Sequence, residues 1–138
     1  MNIFVILPTQ LFDKKYLDKN YKYIIWEHVH YFKSYKYNKK KIILHRASMR
    51  YYYDYLKSNN FKIQYVSYDM KLQITNYTIF DPIDKIKLPG KYEMIESPNF
   101  LLTKEYYSKY RNKTDKFFFN AFYMWSKTQL NILPKVKS

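Results

Sequence analysis

The chain has 138 residues, 47% of them hydrophobic and 22% aromatic, enough apolar surface for a packed core and too much for a disordered tail. One glycine and no cysteine exclude glycine-rich phosphate loops, disulfide scaffolds, thiol catalysis, cysteine-ligated zinc and iron–sulfur clusters. The net charge of +14 favours polyanions through counterion release, but Lys, Asn, Tyr, Ile and Phe share AT-rich codons, so an AT-rich genome, such as that of a large DNA virus, raises lysine without selection for nucleic acid.

The first apolar run, "NIFVIL" (2–7), ends at Pro8 and reads as a buried strand. It lacks the basic lead and length of a signal peptide, and no run of about 18 apolar residues predicts a membrane span. The expected location is intracellular. Residues 8–20 read as a loop with one helical turn, and "KYIIWEH" (22–28) as a second buried strand. "VHYFKSYKY" is short helix or irregular chain. In "NKKKIILHRASMRYYYDYLKSNN" (38–60), Ile42, His45, Met49, Tyr52 and Leu56 recur at spacings of three and four, so they share one helix face. Asn38 is the expected N-cap, and the asparagines at 59–60 suit a left-handed helix end.

Strands are predicted at 61–69, 77–82 and 92–98, with a turn at "LPGKY" between the last two. Helices follow at 103–113, with Thr103 as cap, and at 115–133. Alternating strands and helices predict a mostly parallel α/β sheet of about five strands. The third-to-fourth and fourth-to-fifth connections are too short for helical crossovers. Either one sheet face is poorly covered and forms a partner surface, or one strand runs antiparallel.

Three segments together, "FVILPTQLF", "IIWEHV" and "NKKKIILHRASMRYYYDYLKSNNFKIQYVSYD", resemble the N-terminal domain of photolyase-related proteins, the prokaryotic-type branch of the photolyase/cryptochrome superfamily. Gln10 and Leu11 match that family's "LGDQL" loop, and Glu27 the acid after its second strand. Lys39, Lys40, Lys41, Ile42, Met49, Arg50, Tyr52 and Leu56 match its "HHKKKIAxxxxAMRxFxxEL" helix, and Asp69 the following strand end. Phe100, Leu101, Thr103, Phe122, Tyr123, Ile132 and Leu133 match its "FLxT" and "FYRxMRRxTGLL" segments. Pro8-Thr9 stands where the family has Gly-Asp, and Met124 where it has Arg.

The resemblance implies a single Rossmann-like α/β domain over 1–138 with some crossovers shortened. It implies that the helical domain carrying FAD and an iron–sulfur cluster is absent, so the chain alone has no redox cofactor. In the family this domain holds a lumazine-type antenna chromophore at the carboxyl ends of the strands, where open parallel sheets bind ligands. The corresponding residues are Gln10, Leu11, Glu27, Ile42 and His45. Alternatively, Glu27 caps a helix or pairs with Lys41.

Other chemistry is sparse. The eleven acids are scattered, with no nucleophile elbow, and "DKKYLDK" and "DPIDK" read as turns and caps. His28 and His30 lack an evident third ligand for a metal and read as surface or interface residues. Basic residues interleave with aromatics, which makes Lys39, Lys40, Lys41, Arg46, Arg50, Arg111 and Lys113 the candidate phosphate contacts. The lysine triplet opposes the helix dipole, so an anionic partner would account for it. The leading expectation is a non-catalytic module that binds a separately encoded FAD-domain protein, a second copy or nucleic acid. The alternatives are the antenna-chromophore subunit of a split DNA-repair photolyase, and a structural or assembly protein.

Overall fold

The computed structural model describes residues 2–33, 36, 38–99, 104–113 and 119–130. They fall in two compact units, Met1–Ser97 and Pro98–Ser138. The first unit contains strands β1 (Asn2–Ile6), β2 (Tyr21–Trp26), β3 (Lys62–Val66), β4 (Asn76–Phe80) and β5 (Lys91–Ile95). It also contains a 3₁₀ turn at Lys14–Tyr16, a short helix α1 (His30–Lys33) and the long helix α2 (Lys39–Ser58). The second unit contains α3 (Lys104–Arg111) and α4 (Phe119–Leu130). Thr103, the expected cap of α3, lies outside the described residues, as do Phe100, Leu101, Ile132, Leu133 and both ends of the 115–133 helix reading.

The five strands form one sheet in the order β3-β2-β1-β4-β5, and every pairing is parallel. The antiparallel option is therefore excluded. Because side chains alternate across a strand, each strand feeds two cores. Phe4, Ile6, Tyr23, Ile25 and Phe80 face the helical side, where Phe32 of α1 and Met49, Tyr52 and Leu56 of α2 cover them. Burying side chains of this size stabilises the fold by about 1.5–3 kcal/mol each. On the other face lie Val5, Leu7, Tyr77 and Ile79. Within the first unit, no described helix contributes to that core. Leu72 and Ile74 from the β3–β4 connection, and Ile86 and Leu88 from the β4–β5 connection, pack there instead. Irregular chain thus does the work of two missing crossover helices. It leaves β5 exposed along its whole length.

The helix reading is met closely. The Asn38 side chain accepts a hydrogen bond from Lys40 N–H at 2.8 Å and opens α2. At the other end Asn60 takes φ 64°, its N–H donates to Lys57 C=O, and Phe61 N–H donates to Leu56 C=O. That is a Schellman close, in which a left-handed residue satisfies the last carbonyls. Phe61 is itself buried, which fixes where β3 enters the sheet. The single glycine has a similar local reason. Gly90 has φ +68°, and a Cβ there would stand 2.9 Å from Thr75 C=O. The turn into β5 therefore needs both the conformation and the missing side chain.

Candidate functional site

The carboxyl ends of β1, β2 and β3 converge under the first half of α2. Glu27 follows β2 directly, and its N–H is held by Val66 C=O at 2.9 Å. Its side chain is completely buried, at 0% exposure. Arg46 Nε stands 3.1 Å from Glu27 Oε2. The approach lies off the line of a directed hydrogen bond, so neither carboxylate oxygen accepts an aligned hydrogen bond from a described residue. Glu27 therefore caps no described helix, and the cation that pairs with it, Arg46, comes from the second turn of α2. The Tyr65 hydroxyl shares this setting: burial first, and then the facing Glu27, hold its pKa well above the usual phenol range.

Aromatic rings wall the neighbourhood. Phe32 stacks on Tyr68 with centroids 5.9 Å apart, and the His45 imidazole meets Phe32 edge-on at 6.3 Å. Partial burial, and then the nearby Lys41 charge, lower the His45 pKa, which favours the neutral imidazole. Ile42 packs against the same core one turn earlier. The structure thus places Ile42 and His45 together on the α2 face that covers the end of β2.

Gln10 and Leu11 lie at the end of β1. Gln10 is buried at 2% exposure, its Oε1 accepts from Leu7 N–H at 3.2 Å, and its Nε2 donates to Phe80 C=O at 2.8 Å. The amide therefore ties the end of β1 to the end of β4. Leu11 packs on the core and, with Phe12, Ala47, Ser48, Tyr51, Tyr52 and Tyr55, lines an open groove of about 630 Å³. The Tyr52 hydroxyl closes the groove floor by donating to Phe12 C=O.

The histidines differ from a surface reading. His28 is buried; its Nδ1 accepts from His30 N–H at 3.0 Å, so its Nε2–H donates to Lys87 C=O at 2.7 Å. The ring pins the β4–β5 connection to the end of β2. No group of three or more metal-type side chains occurs among the described residues.

The lysine triplet does not form one patch. Lys39, Lys40 and Lys41 are all exposed, but at 100° per residue they point to three sides of α2. Lys39 aligns with Arg46 and Arg50. Arg111 and Lys113 belong to the second unit. Sequence reasoning missed the roles of Phe32, Tyr65 and Tyr68. The alternation of Ile63 and Tyr65 in β3, set against the Arg46–Arg50 step, is the signal that could have found Tyr65. No described helix is long and apolar enough to cross a membrane.

A family model for deoxyribodipyrimidine photo-lyase-related protein matches residues 4–86, from β1 through β4 into the loop beyond. An uncharacterized protein, R852, of Acanthamoeba polyphaga mimivirus is 32% identical over 165 residues, taking in 96% of this chain and 84% of the relative.

Proposed function

The chain belongs to the deoxyribodipyrimidine photolyase-related protein family, and we propose that within it the chain is a non-catalytic recognition module whose ligand site is the carboxyl end of the sheet around Glu27. One observation carries this reading: Glu27 keeps a fully buried carboxylate whose oxygens accept no aligned hydrogen bond. Arg46 offsets its charge and the Tyr65 hydroxyl faces it, which leaves acceptor capacity that a better-aligned donor would stabilise. A planar heterocycle with ring N–H groups is a donor of that kind. The lumazine-type chromophore that the family resemblance implies has this chemistry, and when bound it would absorb near-ultraviolet or blue light. Glu27 would accept from the ring, Ile42 and neutral His45 would cover a face of it, and Arg46 would offset the carboxylate charge. Gln10 would act at a distance, by holding the ends of β1 and β4 in place.

The test is a fluorescence titration of the full chain with a ribityl-lumazine. The native chain is expected to bind. Glu27→Gln should weaken binding by about tenfold to a hundredfold, the worth of a hydrogen bond to a charged acceptor. Native-like circular dichroism with equal binding by the two proteins would refute the assignment.

A second reading, docking of a separately encoded FAD-domain protein, is favoured by the outer face of α2. There Leu44 and Tyr51 are 67% and 74% exposed beside the groove lined by Leu11 and Phe12. Large apolar side chains set next to an open groove are what helix-docking partners use. Leu44→Glu should abolish co-elution with such a partner while leaving lumazine binding intact.

A further inference from the structure

The cations of α2 are not spread evenly round the helix. Lys39, Arg46, Arg50 and Lys57 are all exposed and follow one another at intervals of seven, four and seven residues. At 100° per residue these positions fall in a band about 60–100° round from the buried Met49, and at 1.5 Å per residue the row is about 27 Å long. Three of the four lie over tyrosine rings. Arg46 stands 5.7 Å from the Tyr68 ring, Arg50 3.8 Å from Tyr65, and Lys57 5.6 Å from Tyr53. Lys33 of α1 approaches Tyr68 from its own side at 5.1 Å. Asp54 and Asp69 are the exposed acids at its margin.

Codon drift does not account for this row. The chain contains 22 lysines and only three arginines. Two of those three stand one turn apart on this single face, each over a tyrosine. An arginine flat on an aromatic ring is held in place and keeps its outer face and its N–H groups for a ligand. Arg46 also gives part of its charge to Glu27, being 44% exposed where that carboxylate is fully buried. Arg50 forms no ion pair with a described residue and stands near the centre of the row.

We infer that this face of α2, with Lys39, Arg46, Arg50 and Lys57 in line and tyrosines beneath, binds single-stranded nucleic acid. The cations are spaced to follow a phosphate backbone along the helix. The exposed guanidinium plane of Arg50 offers a surface on which a base stacks, the combination that single-strand binders use. A duplex presents its bases only as edges within its grooves, so stacking on an arginine plane requires unpaired bases. The row borders the ligand site at Glu27 and shares Arg46 with it, so the variants that test it leave Glu27 and Arg46 in place.

The experiment is fluorescence anisotropy of a labelled oligothymidylate against the full chain over a range of salt concentrations. The double variant Arg50→Gln, Lys57→Gln removes two contacts without touching Glu27 or Arg46. Its log–log salt slope should fall by about 1.4, and its affinity at 50 mM salt by roughly 50-fold, at about 0.7 counterion per single-strand phosphate. Lys85→Gln with Lys91→Gln, at the β4–β5 end of the sheet and away from the β3 edge, should leave both unchanged. Arg50→Lys should keep the slope and lose affinity several-fold, because the charge stays and the stacking plane goes. Equal loss in the two double variants would overturn the inference, since only net charge would then matter. Tighter binding of duplex, of heparin or of an abasic strand than of oligothymidylate would overturn it as well.

Discussion

Glu27 keeps its charge out of water with Arg46 and the Tyr65 hydroxyl beside it, and the ion pair sets two expectations at the level of single residues. Removing the cation alone strands a buried carboxylate, which usually costs about 3–5 kcal/mol; here the guanidinium is half in solvent, so Arg46→Met should cost on the order of 2–3 kcal/mol. The double change Arg46→Met, Glu27→Gln should recover most of that in urea unfolding, because no charge is left unpaired. His28 sets a pH dependence. Burial, chiefly, lowers its pKa below the usual 6.5; its hydrogen bond to Lys87 C=O pulls the other way. With Nδ1 accepting from His30 N–H, a proton on Nδ1 would face another N–H. A histidine depressed in the folded state contributes stability that is fully present above its unfolded pKa and is lost as pH falls through the folded value. The urea midpoint should therefore drop between pH 7 and pH 5, and His28→Asn should flatten that drop.

The elements show why much of the fold was legible and part was not. Helix α2 was readable because Asn38, the three-and-four spacing of Ile42 to Leu56, and Asn60 each fix one feature locally. Strands β1 to β4 were readable as apolar runs between turn residues, within one to three residues at their ends. The covering of the second face was not, because Leu72, Ile74, Ile86 and Leu88 sit in chain with no period and are placed only by the sheet beneath them. The partner of Glu27 was hidden for a similar reason: Arg46 is nineteen residues on and meets it only once α2 crosses the sheet. Within the β4–β5 connection Ile83 holds φ 70°, a costly state for a β-branched residue, stabilised by its N–H donating to Asp81 Oδ1 at 2.9 Å. Ile83→Gly should raise stability by roughly 1 kcal/mol, and Gly90→Ala should lower it by more, since its Cβ would meet Thr75 backbone. Thermal unfolding of the two variants side by side checks both signs.

As a whole, the chain is an α/β member of the deoxyribodipyrimidine photolyase-related protein family, for which a recognition role is proposed above. Its first unit offers a buried acid among rings at the strand ends and, joined to it through Arg46, a row of cations along α2 over tyrosines. The most direct test is equilibrium dialysis of the full chain against equal concentrations of a ribityl-lumazine and FAD, followed by illumination with dimer-containing DNA. The account predicts stoichiometric retention of the lumazine, FAD held no better than by the Glu27→Gln chain, and no light-driven reversal of the dimers. Stoichiometric FAD in the native chain, or dimer repair by this chain alone, would contradict it.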